Sequence, residues 1–157
     1  MNTILYREYK FKFYLNANHY ILIQGKPGEA HPHTWEFAFD IIMNNEGFVQ
    51  FNEYEKAIDA YFDKYQNRVM NDFAPFDTMN PTLENMSEIF IMEIQQIIDR
   101  LGGILVKMES SETPTRSYVL SFEKGKSFID HLMTEQEGKI EEIVSTLVDQ
   151  ITEDEDE

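Results

Sequence analysis

The chain has 157 residues and no cysteine, and 29 acidic against 13 basic side chains give it a net charge of −16. The length suits one domain with a substantial core, and the missing cysteines exclude disulfides, thiolate metal ligands and a thiol nucleophile. So acidic a chain argues against nucleic acid, whose phosphates need a basic stripe. No apolar run reaches membrane-spanning length, and Met1 to Lys10 meets charge too early for a signal peptide, which together predict a cytoplasmic protein.

The first predicted element is a strand. Tyr9, Phe11, Phe13, Leu15, Ala17 and His19 share one parity, and Lys10, Lys12, Tyr14, Asn16 and Asn18 share the other. Period two marks a half-buried strand. His31, His33, Trp35, Phe37, Phe39, Ile41 and Met43 repeat the pattern in a second strand. His31 and His33 therefore point to one side, roughly 7 Å apart along the strand. A lone histidine on an apolar stripe is commonly a hydrogen-bonded core residue. A pair at this spacing, with His19 matched in parity on the preceding strand, points instead to a metal. If the strands pair antiparallel, the imidazoles meet at one end of the sheet. Three protein ligands with a fourth position open is the arrangement of catalytic zinc. Gly25 followed by His31, His33 and Glu36 also comes near a cupin metal motif, but the Glu spacing is short and no second His motif follows. His131, in a charged region, reads as a solvated surface residue.

Asn52 with Glu55 resembles a capping box, and Tyr54, Ile58, Tyr61, Phe62, Tyr65 and Val69 follow at helical spacing. Asn80-Pro81 opens a second helix, with Asn as cap and Pro at the first helical position. Its apolar face is Leu83, Met86, Phe90, Ile94, Ile97 and Leu101, and Gly102-Gly103 ends it. Strands follow at Ile104 to Met108 and Ser117 to Phe122, then a helix from Lys139 with Ile140, Ile143, Leu147 and Ile151 on one face. From Glu135 onward ten acids face one lysine, and Thr152 to Glu157 reads as a disordered acidic end. The fold class is α+β: a four-stranded antiparallel sheet with two helices on one face (ββααββ) and a C-terminal helix. The domains are 1–123, a helical extension 124–151 and the tail 152–157. Helices cover one sheet face only, and an uncovered apolar face favours a homo-oligomer.

Several short motifs resemble the 6-pyruvoyl-tetrahydropterin synthase and 6-carboxytetrahydropterin synthase family, of the tunnelling fold. They are Ala17-Asn18-His19, His31-Pro32-His33, Gly47-Phe48-Val49-Gln50-Phe51, Asn80-Pro81-Thr82-Leu83-Glu84-Asn85 and Glu112-Thr113-Pro114-Thr115-Arg116-Ser117-Tyr118. The resemblance spans roughly residues 5 to 123 and implies that His19, His31 and His33 bind zinc. It implies that Glu112 anchors a pterin, with Thr82 and Thr113 beside the substrate. A carboxylate suits the paired donors on the pterin edge. The implied reaction is a lyase step on 7,8-dihydroneopterin triphosphate or a related pterin, in folate, biopterin or queuosine biosynthesis. The implied assembly is a trimer or hexamer.

The chain departs from the family at its acid–base groups. Lys26-Pro27-Gly28-Glu29-Ala30 stands where family enzymes carry a catalytic Cys, and Asn71-Asp72 stands near their Asp-His unit. One branch uses Glu in place of Cys. Glu29 is thus a candidate base or a solvated loop residue, and Asp72 is the second candidate by position. The alternative to a lyase is a non-catalytic member that keeps zinc and pterin binding.

Overall fold

Both alternating segments form long antiparallel strands, and the predicted parity holds along them. The computed structural model describes residues 7–43, 51–122, 141–145 and 147–148. These divide between two compact units, Met1–Phe122 and Glu123–Glu157. In the first unit β1 (Tyr9–His19) is followed by a small ribbon, β2 (Leu22–Ile23) and β3 (Lys26–Pro27), and then by β4 (His31–Ile42). Helices α1 (Phe51–Asp63) and α2 (Leu83–Arg100) come next, with a short 3-10 turn Met70–Asp72 between them, and β5 (Ile104–Thr113) and β6 (Arg116–Ser121) complete the sheet. The sheet order is β1-β4-β5-β6, antiparallel throughout. This is the ββααββ arrangement the sequence predicts, with the β2–β3 ribbon added. At the tip of that ribbon Gln24 and Gly25 both take positive φ, 53° and 77°, as a two-residue type I′ hairpin turn requires.

One sheet face packs under the helices. Phe11, Phe13, Leu15, Trp35, Phe37, Phe39 and Ile41 from β1 and β4 meet Ile58, Phe62, Phe90, Ile94 and Ile98 from α1 and α2. The Phe37 ring stacks on Phe62 at 5.2 Å and meets Phe90 edge-on at 5.3 Å. Burying each such ring stabilises the fold by about 1.5–3 kcal/mol. The pleat slips where β5 joins β4: Asp40 faces Lys107 but Ile41 faces Leu105, so Val106 is extra. The bulge lets Leu105 and Met108, three residues apart, both reach the core.

The opposite face differs from the sequence expectation. It is not an uncovered apolar surface. Lys10 donates to Glu109 at 2.8 Å, Lys107 lies 3.2 Å from Asp40, and Lys10 lies 3.7 Å from Asp40, whose carboxylate is buried between the two lysines. Among the described residues this face carries a charged lattice, so burial of an apolar face gives no argument for an oligomer.

The helix starts also shift. Asn52 lies inside α1. The cap of α2 is Thr82, whose Oγ1 accepts from Asn85 N at 3.1 Å; it is not Asn80. Asn80 uses its amide on the backbone of Leu22, accepting from N at 2.9 Å and donating to O at 3.2 Å. In the second unit residues 141–145 and 147–148 are helical, and Ile143 and Leu147 are exposed. Residues 47–50 of the glycine motif, His131, Ile140, Ile151 and the acidic end lie outside the described residues.

Candidate metal centre and ligand cleft

The β1–β4 register places His19 opposite His31 and Ala17 opposite His33, so the strand ends bring three imidazoles together. Their centroids are 4.6, 4.8 and 4.7 Å apart, nearly an equilateral triangle. One ligand nitrogen from each ring lies within 4.8 Å of the others, so the triad could hold a metal ion. His19 is buried, His33 half-buried and His31 exposed, which leaves an open side.

Two backbone carbonyls orient the rings. His19 Nδ1 lies 2.7 Å from Pro81 O, and His31 Nδ1 lies 3.1 Å from Glu29 O. Each carbonyl requires N–H at Nδ1, which leaves a lone pair on each Nε2. Those two Nε2 atoms face each other at 3.0 Å. Opposed lone pairs repel unless a cation or a proton lies between them. Burial pushes the His19 imidazole below its ordinary value, with His33 and His31 adding to the effect and Pro81 O opposing it, which disfavours the proton. The donor set therefore fits a divalent metal that accepts neutral imidazoles.

The site end of β1 is held from outside. Asn18 N donates to Arg68 O at 2.8 Å, and Asn71, on the 3-10 turn, clasps Tyr20 through both N (3.0 Å) and O (2.9 Å). Asn71 and Asn80 thus act as short substitutes for a neighbouring strand along Tyr20 to Leu22, just after His19. Sequence reading singled out Asn80 as a helix cap and Asn71 by motif position but gave neither this role, because their partners are more than fifty residues away in the chain.

A cleft of about 540 Å³ opens from the histidines, within the usual size of a small-molecule site, about 300–1,000 Å³. His19, His31 and His33 line it with Thr82 and Glu84 at the start of α2 and with Glu112, Arg116 and Tyr118 from β5 and β6. The structure thus brings five of the expected site residues together: the histidines, Thr82 and Glu112. Glu29, Asp72 and Thr113 are exposed and are not among the residues lining the cleft. Arg116 is in the lining and Lys26 is not. Glu112 is half-buried, and its Oε1 accepts from the Trp35 indole at 2.9 Å.

The family model for 6-pyruvoyl tetrahydropterin synthase matches residues 8–123. The chain belongs to this family. The fold is shared with the 6-pyruvoyl tetrahydropterin synthase of Caenorhabditis elegans at a TM-score of 0.62 and 14% identity, over 74% of this chain and 95% of that one. An uncharacterized protein of Wolinella succinogenes follows at 0.56 and 12%, over 74% and 98%. At these identities the likeness is one of fold. No curated protein matches the chain in sequence. The triad, the cleft and Glu112 all lie within the matched residues of this synthase-family domain. No helix among the described residues is long and apolar enough to cross a membrane.

Proposed function

We propose that the chain is a zinc-dependent lyase acting on 7,8-dihydroneopterin, its triphosphate or a close relative, in the cytoplasm and as a trimer or hexamer. Residues 1–123 form its catalytic domain, 124–151 a helical extension and 152–157 an acidic tail. The observation that carries this reading is the meeting of the imidazole triad and the Glu112 carboxylate in one cleft. Glu112 accepts the paired donors of the pterin edge, Thr82 flanks the substrate, and Thr113, outside the cleft lining, is a more distant candidate contact. His19, His31 and His33 would hold the zinc, which would supply Lewis-acid polarisation of substrate oxygens. The chain itself must move the proton. Glu29 is the first candidate base by its place in the chain, two residues before His31, whose Nδ1 donates to the Glu29 backbone carbonyl. Asp72 is the second.

A second reading has its own support: neither candidate base lines the cleft, and the chain has no cysteine. On that reading the protein binds zinc and pterin without turnover. The two separate on incubation of the metal-loaded protein with dihydroneopterin and with its triphosphate, products being identified by mass spectrometry. A new pterin product supports the lyase. Glu29→Ala is expected to slow its formation by about a hundredfold, the worth of a positioned base. Binding without product in wild type and variant alike establishes the non-catalytic reading.

A further inference from the structure

Trp35 is the sole tryptophan of the chain, and it is fully buried between the aromatic core and the cleft. It stands opposite Leu15 on β1. On the other side Glu36 pairs with Ser111 of β5, so continuation of that register sets Trp35 beside Glu112. The His19 ring meets Trp35 edge-on at 5.1 Å, and the His33 ring lies nearly parallel to it at 5.2 Å. The indole N–H donates to Glu112 Oε1 at 2.9 Å. One rigid side chain therefore touches two of the three candidate ligands and the cleft carboxylate. A core position alone would be served by Phe or Leu, which carry no polar atom to satisfy. The indole N–H here is used on the group that faces the ligand.

We propose that Trp35 is a positioning residue that couples the metal centre to the anchoring carboxylate: its ring seats His19 and His33, and its N–H fixes one oxygen of Glu112. The second Glu112 oxygen and a remaining lone pair of the first are left for the ligand's donors. Two consequences follow from the geometry. A carboxylate tethered on one oxygen has lost its freedom to rotate before the ligand arrives, which reduces the ordering cost of binding. Any shift of the His33 ring on metal binding reaches Glu112 through one intervening side chain. The proposal rests on the pterin reading of the cleft only for its ligand; the coupling itself can be tested without one.

A single tryptophan gives a single indole N–H resonance, which serves as the reporter. In uniformly 15N-labelled protein this resonance is expected to move on addition of zinc, to move again with a pterin such as biopterin, and to shift in Glu112→Gln. A tryptophan that only fills the core would not respond to Glu112→Gln. Trp35→Phe keeps a ring against His33 but lacks the donor; it is expected to keep its zinc and to bind biopterin about tenfold more weakly, the usual scale for one lost charge-assisted hydrogen bond. Combined with Glu112→Gln it should add little further loss, because the two groups act as one. An indole resonance unmoved by both zinc and Glu112→Gln overturns the proposal, as does equal biopterin affinity in wild type and a folded Trp35→Phe. If Trp35→Phe does not fold, the resonance in wild type and Glu112→Gln decides alone. If wild type binds no pterin at all while the resonance still answers to zinc and Glu112→Gln, the pterin function falls and the coupling stands.

Discussion

The two ends of the β1–β4 pair follow one pleat and reach opposite outcomes. At one end Phe11 faces Phe39 and Phe13 faces Phe37 beneath α1 and α2. At the other end the same inward parity carries His33 and the facing pair His19 and His31, beyond the cover of the helices, where a cleft opens. Parity is therefore not what distinguishes core from site. Cover is: under the helices the inward positions of β1 and β4 are apolar, and past the helix end they can hold a ligand.

Substitutions at the two ends break this comparison most sharply. Phe37→Ala leaves a cavity among Phe62 and Phe90 and should cost about 3–5 kcal/mol of folding stability, read from denaturant midpoints. His31→Ala with His33→Ala should cost about 1 kcal/mol or less in metal-free protein, since both side chains reach solvent. The same double variant should lose its metal entirely by elemental analysis; full retention would remove these histidines from the metal centre.

Glu112→Gln sharpens the comparison within the site. It replaces an acceptor by a donor that meets the indole N–H or the pterin's own donors, and should weaken pterin binding by about 2–4 kcal/mol in calorimetry. Its thermal midpoint should hardly change, because Glu112 is only half-buried. Thr82→Ala removes the acceptor for Asn85 N at the start of α2 and should cost about 1 kcal/mol of stability. Asn80→Ala should leave that cap intact and instead loosen the ribbon at Leu22, seen as faster amide exchange there.

The smallest effect belongs to the charged face. The Lys10 hydrogen bond holds the Glu109 carboxyl below its ordinary value of 4.5, with the nearby Lys10 and Lys107 charges adding to it and burial opposing it. The lowered folded value means that Glu109 contributes stability above about its ordinary carboxyl range, and that this is lost as pH falls through the folded value. Lys10 is largely in solvent, so about 0.5–1 kcal/mol is expected. Lys10→Met should therefore lower stability at neutral pH by that amount, leave it nearly unchanged below the folded Glu109 value, and so flatten the fall between the two.

The sequence by itself determined what depends on local periodicity. Alternation along Tyr9–His19 and His31–Ile42 set both strands and the side on which all three histidines stand, because successive side chains on a strand must point to opposite faces. Helical spacing from Leu83 onward likewise marked the buried face of α2, on which Met86, Phe90 and Ile94 lie. The tertiary structure alone decided what depends on partners distant in the chain. The Val106 bulge breaks the parity of β5, Asn80 leaves its helix to hold Leu22, and the face expected to be apolar closes into a lattice of lysines and carboxylates. Trp35 read as one more apolar residue in an alternating stripe. Its role at the metal centre exists only because the register of three strands sets it between His33 and Glu112, and register is fixed by the whole sheet, not by either neighbour in sequence.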